Sequence, residues 1–315
     1  MKSVYNNGLI RLKVSSNYHP KYIYYNLISE QFKNFIYGIS AGTSTQPNMK
    51  IDHMLQYPVM NVGIEEQKAI ANILSSLDEK IELNNQMNKT LEEMAQTLFK
   101  RWFVEFEFPN EYGEPYKSSG GEMVDSELGM IPKGYLISTL DEMCNLSVGG
   151  DKPKTFSKLR SEECNIPIYS NGIENEGLYG FTDKAKIFEK SVTVSARGTI
   201  GFICLRQGPY VPIVRLISVI PSKCDLSSEY LYHWLRGMNI QATGTTQQQL
   251  TVPQFKKSKI LIPTTNIMKN FTMKVGSMVA QMEANKLENE NLSSIRDALL
   301  PKLMSGEIRV TDLQN

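Results

Sequence analysis

The chain has 315 residues, enough for about two domains of roughly 150 residues each. Its 41% hydrophobic and 21% charged residues are ordinary for a globular protein and argue against a disordered or fibrous chain. Lys and Arg (34) nearly balance Asp and Glu (33), so a net charge of +1 neither indicates nor excludes a nucleic-acid partner. No stretch approaches the ~18 apolar residues of a membrane span, and the N-terminus lacks a secretory signal pattern. We therefore expect a cytoplasmic protein without a membrane partner.

The cysteines and histidines do not predict a metal site. The four cysteines are far apart, form no C-x-x-C pair, and are accompanied by only three histidines. Buried free thiols are the better interpretation of Cys144, Cys164, Cys204 and Cys224.

An internal repeat organises the chain. Residues 81–98 (IELNNQMNKTLEEMAQTL) align with residues 282–299 (MEANKLENENLSSIRDAL) at a constant offset, for example 292 − 91 = 201. Further upstream, residues 22–27 match residues 230–235. The second copy alone contains a stretch from about Pro132 to Gln207. A period near 200 indicates a duplicated domain rather than a solenoid unit.

The first copy covers residues 1–63 and a helix within residues 64–106. Residues 1–63 correspond to the end of the repeated domain, so we expect their strands to lack core partners and to be marginally stable. In residues 64–106, apolar side chains recur between positions 70 and 102 in alternating steps of four and three, which predicts a coiled-coil helix. A helix from 70 to 102 would be roughly 50 Å long.

A linker and a complete domain follow. Residues 107–132 are rich in Pro, Gly and Ser and are predicted to form a surface linker. Residues 133–264 are predicted to form an α+β domain, because short apolar runs broken by Gly and Pro are typical of strands. The predicted strands are 166–169, 191–194, 200–204 and 214–220, and a helix is predicted over 228–238.

Residues 265–315 are predicted to contain the second long helix and a tail. Pro301 is expected to kink or stop this helix, and Gly306 is a reasonable final stop. Both helices carry two Asn residues in the middle of their apolar seam, where Asn costs stability but fixes register. The helices are therefore predicted to pair, and an antiparallel pair would bring the Asn layers together. The alternative is that each helix packs on its own domain. The seam residues are Leu77, Ile81, Asn84, Asn88, Leu91, Met278, Met282, Asn285, Asn289 and Leu292.

Several segments together carry a family resemblance. Residues 65–81 (EEQKAIANILSSLDEKI) form one signature, and 129–135 (GMIPKGY) form a second, with Tyr135 where Trp is more usual. Weaker landmarks are Gly149-Gly150 with Lys152-Pro153, and residues 167–172, 197–201 and 244–249. In this order and spacing they resemble the specificity subunit of type I restriction–modification systems, over nearly the whole chain.

The resemblance implies an α+β fold with two target-recognition domains, joined by two long helices that pair as an antiparallel coiled coil. Each domain would read one half of a bipartite double-stranded DNA target. The coil would dock modification subunits, probably two in number, which bind S-adenosylmethionine and flip out and methylate adenine. A separate restriction/motor subunit would cut DNA, so ATP and Mg would also belong to partner subunits. This chain itself is expected to hold no cofactor, metal or catalytic residue, and it lacks methylase and phosphate-loop motifs.

Candidate DNA contacts lie in loops of the complete domain. The basic loop 152–160 suits phosphates, although it could be an ordinary solvated loop. Glutamines 247–249 could bind adenine through paired hydrogen bonds, or form a polar turn that caps the next strand. Residues in Gly-flanked turns could reach base edges, and Arg197 could instead be structural. The candidates are Lys152, Lys154, Lys158, Arg160, Ser170, Asn171, Arg197, Gln247, Gln248 and Gln249.

The sequence departs from the family pattern because the first recognition domain lacks its beginning. Three explanations stay open: a truncated product of a rearranged gene, a shortened working subunit, or a chain that pairs with another. We predict a noncatalytic subunit that recognises a DNA sequence and directs adenine methylation and restriction by its partners. The alternative is a truncated coiled-coil interaction protein that binds modification subunits without reading DNA. An autonomous nuclease or methylase is disfavoured because its motifs are missing.

Overall fold

The fold consists of two compact units, Met1–Thr90 with Gln281–Asn315 (unit 1) and Leu91–Ala280 (unit 2). The structure is a computed structural model that describes residues 10–40, 51–223, 225–238, 240 and 250–310. Both unit boundaries fall inside long helices, α4 (Ile64–Phe99) and α8 (Thr265–Ser305). The five segments predicted from the sequence (1–63, 64–106, 107–132, 133–264 and 265–315) stay a prediction, because the two units are defined by packing alone.

Helices are the regular elements of unit 1 in its described residues, and no strand lies within 10–40 and 51–63, which corrects the expectation of strands for this part of residues 1–63. Within 10–40 and 51–63 the chain forms three short helices and irregular structure: α1 Pro20–Ile28, α2 Glu30–Ser40 and α3 Ile51–Leu55. Proline at the start of α1 is preorganised for a first helical turn. Tyr22, Tyr25 and Asn26 are then buried on one face at helical spacing. The tyrosines pack in a core with Ile70, Leu74 and Leu303 of the long helices.

The two long helices pack against each other and run antiparallel. Helix α4 continues into a π-helical turn at Lys100–Val104, close to the predicted span. In unit 1, Arg296 donates to Asp78 over 2.8 Å and Asn289 accepts from Asn84 over 2.9 Å, so the partner number falls as the first number rises. The pairing predicted from the seam pattern is therefore confirmed.

Helix α8 does not stop at Pro301, where the sequence predicted either a kink or a stop. It continues to Ser305 and ends before Gly306, whose φ of +74° is the left-handed conformation of a helix end. Proline removes one N–H donor near the C-terminus of the helix. The buried side chains of Leu303 and Met304 in the unit 1 core offset this loss.

Unit 2 is an α+β domain built on small sheets. The described helices and strands are β1 Met123–Val124, β2 Ile131–Pro132, β3 Leu136–Thr139, α5 Leu140–Met143, β4 Cys144–Val148, β5 Ile166–Tyr169, β6 Leu178–Thr182, β7 Ser191–Val194, β8 Ile203–Arg206, β9 Val211–Pro212, β10 Ile217–Pro221, α6 Ser228–Gly237, α7 Val252–Lys256 and β11 Lys259–Ile262. The strand order is β4-β10-β7-β8 in the largest sheet and β6-β5-β9 in a second, and β11-β3 and β1-β2 form two-stranded sheets.

Two of the four predicted strands and the predicted helix match β5, β7 and α6 closely, whereas two strands are displaced. Strand β8 begins at Ile203 rather than 200, because Gly201 has a φ of +79° and belongs to a turn. Strand β10 begins at Ile217 rather than 214, because Val214 and Arg215 have φ values of 52° and 61°. Positive φ is incompatible with an extended strand, so the chain turns at both places before pairing.

The sequence repeat is also a structural repeat. Helices α3 and α7 are separated by the offset of the long helices (252 − 51 = 201). Tyr22 in α1 donates its hydroxyl to the carbonyl of Met60, and Tyr230 in α6 donates to the carbonyl of Leu261, which lies 201 residues after Met60. Each unit thus fixes a buried tyrosine in the same way, on a segment that precedes its long helix.

His233 in α6 is buried in the aromatic core of unit 2. Only 3% of the residue is exposed, and its ring stacks on Phe99 with centroids 5.6 Å apart. Burial, together with the charge of Arg236, lowers the pKa of His233 to about 3.

The buried imidazole predicts a loss of stability in mild acid. Below its ordinary pKa of about 6.5, unfolded His233 binds a proton that the folded chain excludes, so stability falls by up to ~1.4 kcal/mol per pH unit and is unaffected above that pH. Urea unfolding of wild type and His233→Phe at pH 7 and pH 5 measures this. We expect the variant to lose about 2 kcal/mol less than wild type over this range. Equal losses in wild type and variant would contradict the low pKa of the buried His233.

Three of the four cysteines are buried thiols, as the sequence predicts. They are Cys144, Cys164 and Cys204, and Cys224 lies outside the described residues. Within the part of the chain that the structure describes, no three His, Cys, Asp or Glu side chains are grouped as metal ligands. No helix in that part is both long and apolar enough to cross a membrane.

Candidate nucleic-acid interface

The basic loop of unit 2 is held against an aromatic pair. Lys152 places its Nζ 4.2 Å from the ring centroid of Phe156, and Lys158 places its Nζ 5.0 Å from that of Tyr179. The two rings lie 5.5 Å apart. Cation–π contacts of this kind contribute about 0.5–1 kcal/mol each at exposed sites. The predicted phosphate-binding residues are all exposed: Lys152, Lys154, Lys158 and Arg160.

Asn171 joins two other loops through its side-chain amide. Its Oδ1 accepts from the backbone N–H of Ala196 over 3.0 Å, and its Nδ2 donates to the backbone carbonyl of Val214. The neighbouring Ser170 is half-buried, and its N–H donates to the carbonyl of Gly177 over 2.8 Å. The structure therefore shows Asn171 as a bridge between backbone segments, a role that sequence reasoning missed. Direct DNA contact by Ser170 and Asn171 stays a prediction.

The turn at Val214 and Arg215 is strained. Both residues are in the left-handed region, which costs of the order of 1–3 kcal/mol each for residues other than glycine. The N–H groups of Val214 and Arg215 donate to the carbonyls of Gly150 and Gly149, each over 2.9 Å. A Cβ on Gly149 would lie 2.8 Å from the backbone of Ile213, so only glycine permits this close approach. The Gly149-Gly150 landmark thus holds the turn in place.

Two arginines meet at a cavity of about 290 Å³ beside this turn. Arg197 was predicted as a site residue, whereas Arg215 was not, although it matches Arg11 in the internal repeat. Leu250, which follows Gln249, also lines the cavity, and its N–H donates to the carbonyl of Ala196 over 3.1 Å. Glutamines 247–249 themselves lie outside the described residues. The lining residues are Val148, Ala196, Arg197, Arg215, Ile217, Leu250, Thr251, Val252 and Pro253.

The Asn residues of the seam form a hydrogen-bonded cluster in unit 1. Asn84 donates to Asn289 over 2.9 Å and to Glu288 over 2.8 Å, and Asn285 donates to Asn88 over 2.7 Å. The bond from Asn84 lowers the pKa of Glu288, and Lys80 adds to this effect. Asn84 and Asn285 are buried, and the other seam positions are half-buried: Leu77, Ile81, Asn88, Leu91, Met278, Met282, Asn289 and Leu292.

The sequence matches the family described as "Type I restriction modification DNA specificity domain" over residues 1–93 and 132–290. This match includes most of the first long helix and most of unit 2, with the basic loop and the two-arginine cavity. The chain belongs to this family.

Curated relatives and a solved structure agree with the family. The HindI type I restriction enzyme specificity subunit of Haemophilus influenzae is 26% identical, across 92% of this chain and 77% of the relative. A putative type I specificity subunit of Mycoplasma pneumoniae is 29% identical, across 82% of this chain and 72% of the relative. A crystal structure of a type I restriction–modification S subunit from M. genitalium matches with a TM-score of 0.54 at 19% identity, across 90% of this chain and 72% of that one, which supports the fold.

Proposed function

We propose that this chain is the DNA sequence-recognition subunit of a type I restriction–modification complex and directs adenine methylation and restriction by its partners. The family match carries the proposal, because it includes the domain that presents the basic loop and the two-arginine cavity. The chain's own contribution is binding and orientation, and the chemistry belongs to partner subunits. Two modification subunits would supply S-adenosylmethionine, and a restriction/motor subunit would use ATP and Mg.

The proposed division of labour within the chain follows from side-chain chemistry. Exposed lysines of the loop 152–160 contact phosphates, which positions the protein on DNA without reading sequence. Arg197 and glutamines 247–249 supply donors and acceptors for base edges in the major groove. The paired helices hold the recognition domain at a fixed place relative to the modification subunits.

Base-resolution methylome sequencing tests the proposal. A methylation-free host expresses the chain with its cognate modification subunits, and the expected result is a new adenine-methylated motif. A bipartite or palindromic motif would favour paired recognition domains. Absence of new methylation, with all subunits present and soluble, would contradict the proposal and favour the coiled-coil interaction protein. Replacing Gln247, Gln248 and Gln249 by Ala is expected to change the motif while subunit assembly persists.

The basic loop predicts a salt-dependent, sequence-independent loss of affinity. Replacing Lys152, Lys154 and Lys158 by Ala removes three candidate phosphate contacts, each worth a slope of about 0.9 in log affinity against log salt. We expect a slope smaller by roughly 2–3, with equal weakening for target and non-target duplexes. Fluorescence anisotropy at several salt concentrations measures this. A matched control is Lys117→Ala in the exposed linker, and an equal effect there would show that bulk charge alone is responsible.

A further inference from the structure

The amide of Asn171 acts on both arginines of the cavity. It accepts a hydrogen bond from Ala196 and donates one to Val214, and each of these residues directly precedes an arginine, Arg197 and Arg215. One half-buried side chain therefore couples the two backbone segments that carry the guanidinium groups. Because residues 171, 196 and 214 lie in different loops, this bridge fixes the loops relative to one another.

The cavity suits a ligand that is rich in hydrogen-bond acceptors. Two guanidinium groups line it, and the other described lining residues are uncharged. Buried apolar side chains of Ile217 and Leu250 lie in the lining beside the exposed Arg215. Hydrogen bonds from an ionised guanidinium are stronger than neutral ones and, when paired, fix the geometry of the acceptor.

The strained turn favours base reading over phosphate binding at this place. A phosphate contact tolerates a flexible cation, and the exposed lysines of the basic loop already provide such cations. A guanidinium that reads a base edge must keep its plane and direction, because the two parallel hydrogen bonds to guanine O6 and N7 are geometrically demanding. The left-handed Val214-Arg215 pair is held by Gly149, Gly150 and Asn171, which is the kind of fixed support that base reading requires.

We propose that Arg215 reads a guanine of the DNA target from the two-arginine cavity, with Asn171 as the positioning residue that fixes Arg215 and Arg197. The inference rests on the proposed function and identifies the chemistry of one of its sites.

Arg215→Lys tests the reading step in the complex of the full chain with its modification subunits. Binding is measured on duplexes in which each base pair of the methylome-defined target is changed in turn. Lysine keeps the charge but loses the paired donors, so discrimination is expected to fall roughly 5- to 150-fold at one guanine only. Affinity for a non-target duplex and its salt dependence are expected to stay unchanged. Arg101→Lys, the same change at an exposed arginine of unit 2, is the control and should alter nothing.

Asn171→Ala tests the positioning step. We expect relaxed discrimination at the same guanine as for Arg215→Lys, which a general loss of structure would not produce. Val214→Gly is the second variant. Glycine removes the strain that positive φ imposes on valine and keeps Asn171 and Arg215, so the chain should fold. The greater backbone freedom of glycine should loosen the turn and relax discrimination at the same base position.

Each other outcome overturns the inference. Uniform weakening on all duplexes by Arg215→Lys would indicate a phosphate contact, and unchanged discrimination would exclude base reading by Arg215. If Asn171→Ala weakens all duplexes equally, its role is structural only. If wild type discriminates no sequence and directs no methylation, the proposed function fails as well. If wild type discriminates and Arg215→Lys is identical to it, only the present inference fails.

Discussion

Replacing Phe271 by Ala is expected to lower the free energy of unfolding by ~3–5 kcal/mol. The Phe271 side chain is fully buried in unit 2, and its ring centroid lies 4.9 Å from that of Phe103 and 6.3 Å from that of Tyr230. Rigid rings surround the site, so the cavity left by the substitution cannot collapse. Urea unfolding monitored by tryptophan fluorescence measures the loss, because Trp102 packs on the same ring.

Met273→Ala provides the control on the same helix. Met273 is 70% exposed, so its truncation should change the free energy of unfolding by no more than about 0.5 kcal/mol. Similar losses for Phe271→Ala and Met273→Ala would contradict the described core of unit 2.

Replacing Asn285 by Leu is expected to lower the free energy of unfolding by ~1–3 kcal/mol. Replacing all four seam asparagines by Leu is expected to leave that free energy unchanged or to raise it; these are Asn84, Asn88, Asn285 and Asn289. The single change leaves Asn88 without the amide that donates to it over 2.7 Å at the buried seam. The fourfold change to Leu removes the amides that bond to one another together, leaves the exposed Glu288 to be solvated by water, and extends the apolar seam at the expense of a defined register. Chemical denaturation of all single, double and fourfold variants gives the coupling energies.

Gln86→Leu is the matched control, since Gln86 lies on an exposed face of α4 and its amide donates to Glu82 of the same helix over 2.8 Å. We expect a change within about 0.5 kcal/mol. A fourfold variant that loses as much stability as the sum of its single variants would show that the Asn cluster stabilises the pair outright.

The long helices were predictable because their signal is local and repeated. Steps of three and four continue through α4 and α8, and the 201-residue offset identifies the same Asn positions in both. The expectation of strands was wrong for the described residues 10–40 and 51–63, because burial of Tyr22 and Tyr25 follows a helical spacing that the repeat argument did not use. Periodicity was the stronger guide there.

The site was only partly predictable. Arg197 and the basic loop stand out by residue type, and glycines at 149–150 and 198 mark turns. The bridge made by Asn171 joins residues 25 and 43 positions away (196 − 171 = 25; 214 − 171 = 43), and no local pattern encodes such contacts. The left-handed Val214 carries no sequence signal either, because valine is among the residues that least favour positive φ.

The Asn contacts have the reciprocal pattern of an isologous interface. The 201-residue offset makes Asn84 the counterpart of Asn285, and Asn88 the counterpart of Asn289. Asn84 bonds to Asn289, and the counterpart of this contact is the bond from Asn285 to Asn88. Two identical subunits around a twofold axis make contacts of this kind. Because both halves lie in one polypeptide, the sequence of each half can change independently of the other.

Such independent change is visible in another contact between the two helices. Asp78 and Arg296 form a polar pair in unit 1, whereas their repeat counterparts in unit 2, Val279 and Ala95, are apolar and buried. Exchanging the two ends of the coil would place a charged residue in an apolar layer, which is strongly unfavourable. Because the two halves are parts of one polypeptide and differ in sequence, the two ends of this pseudosymmetric helix pair are not interchangeable.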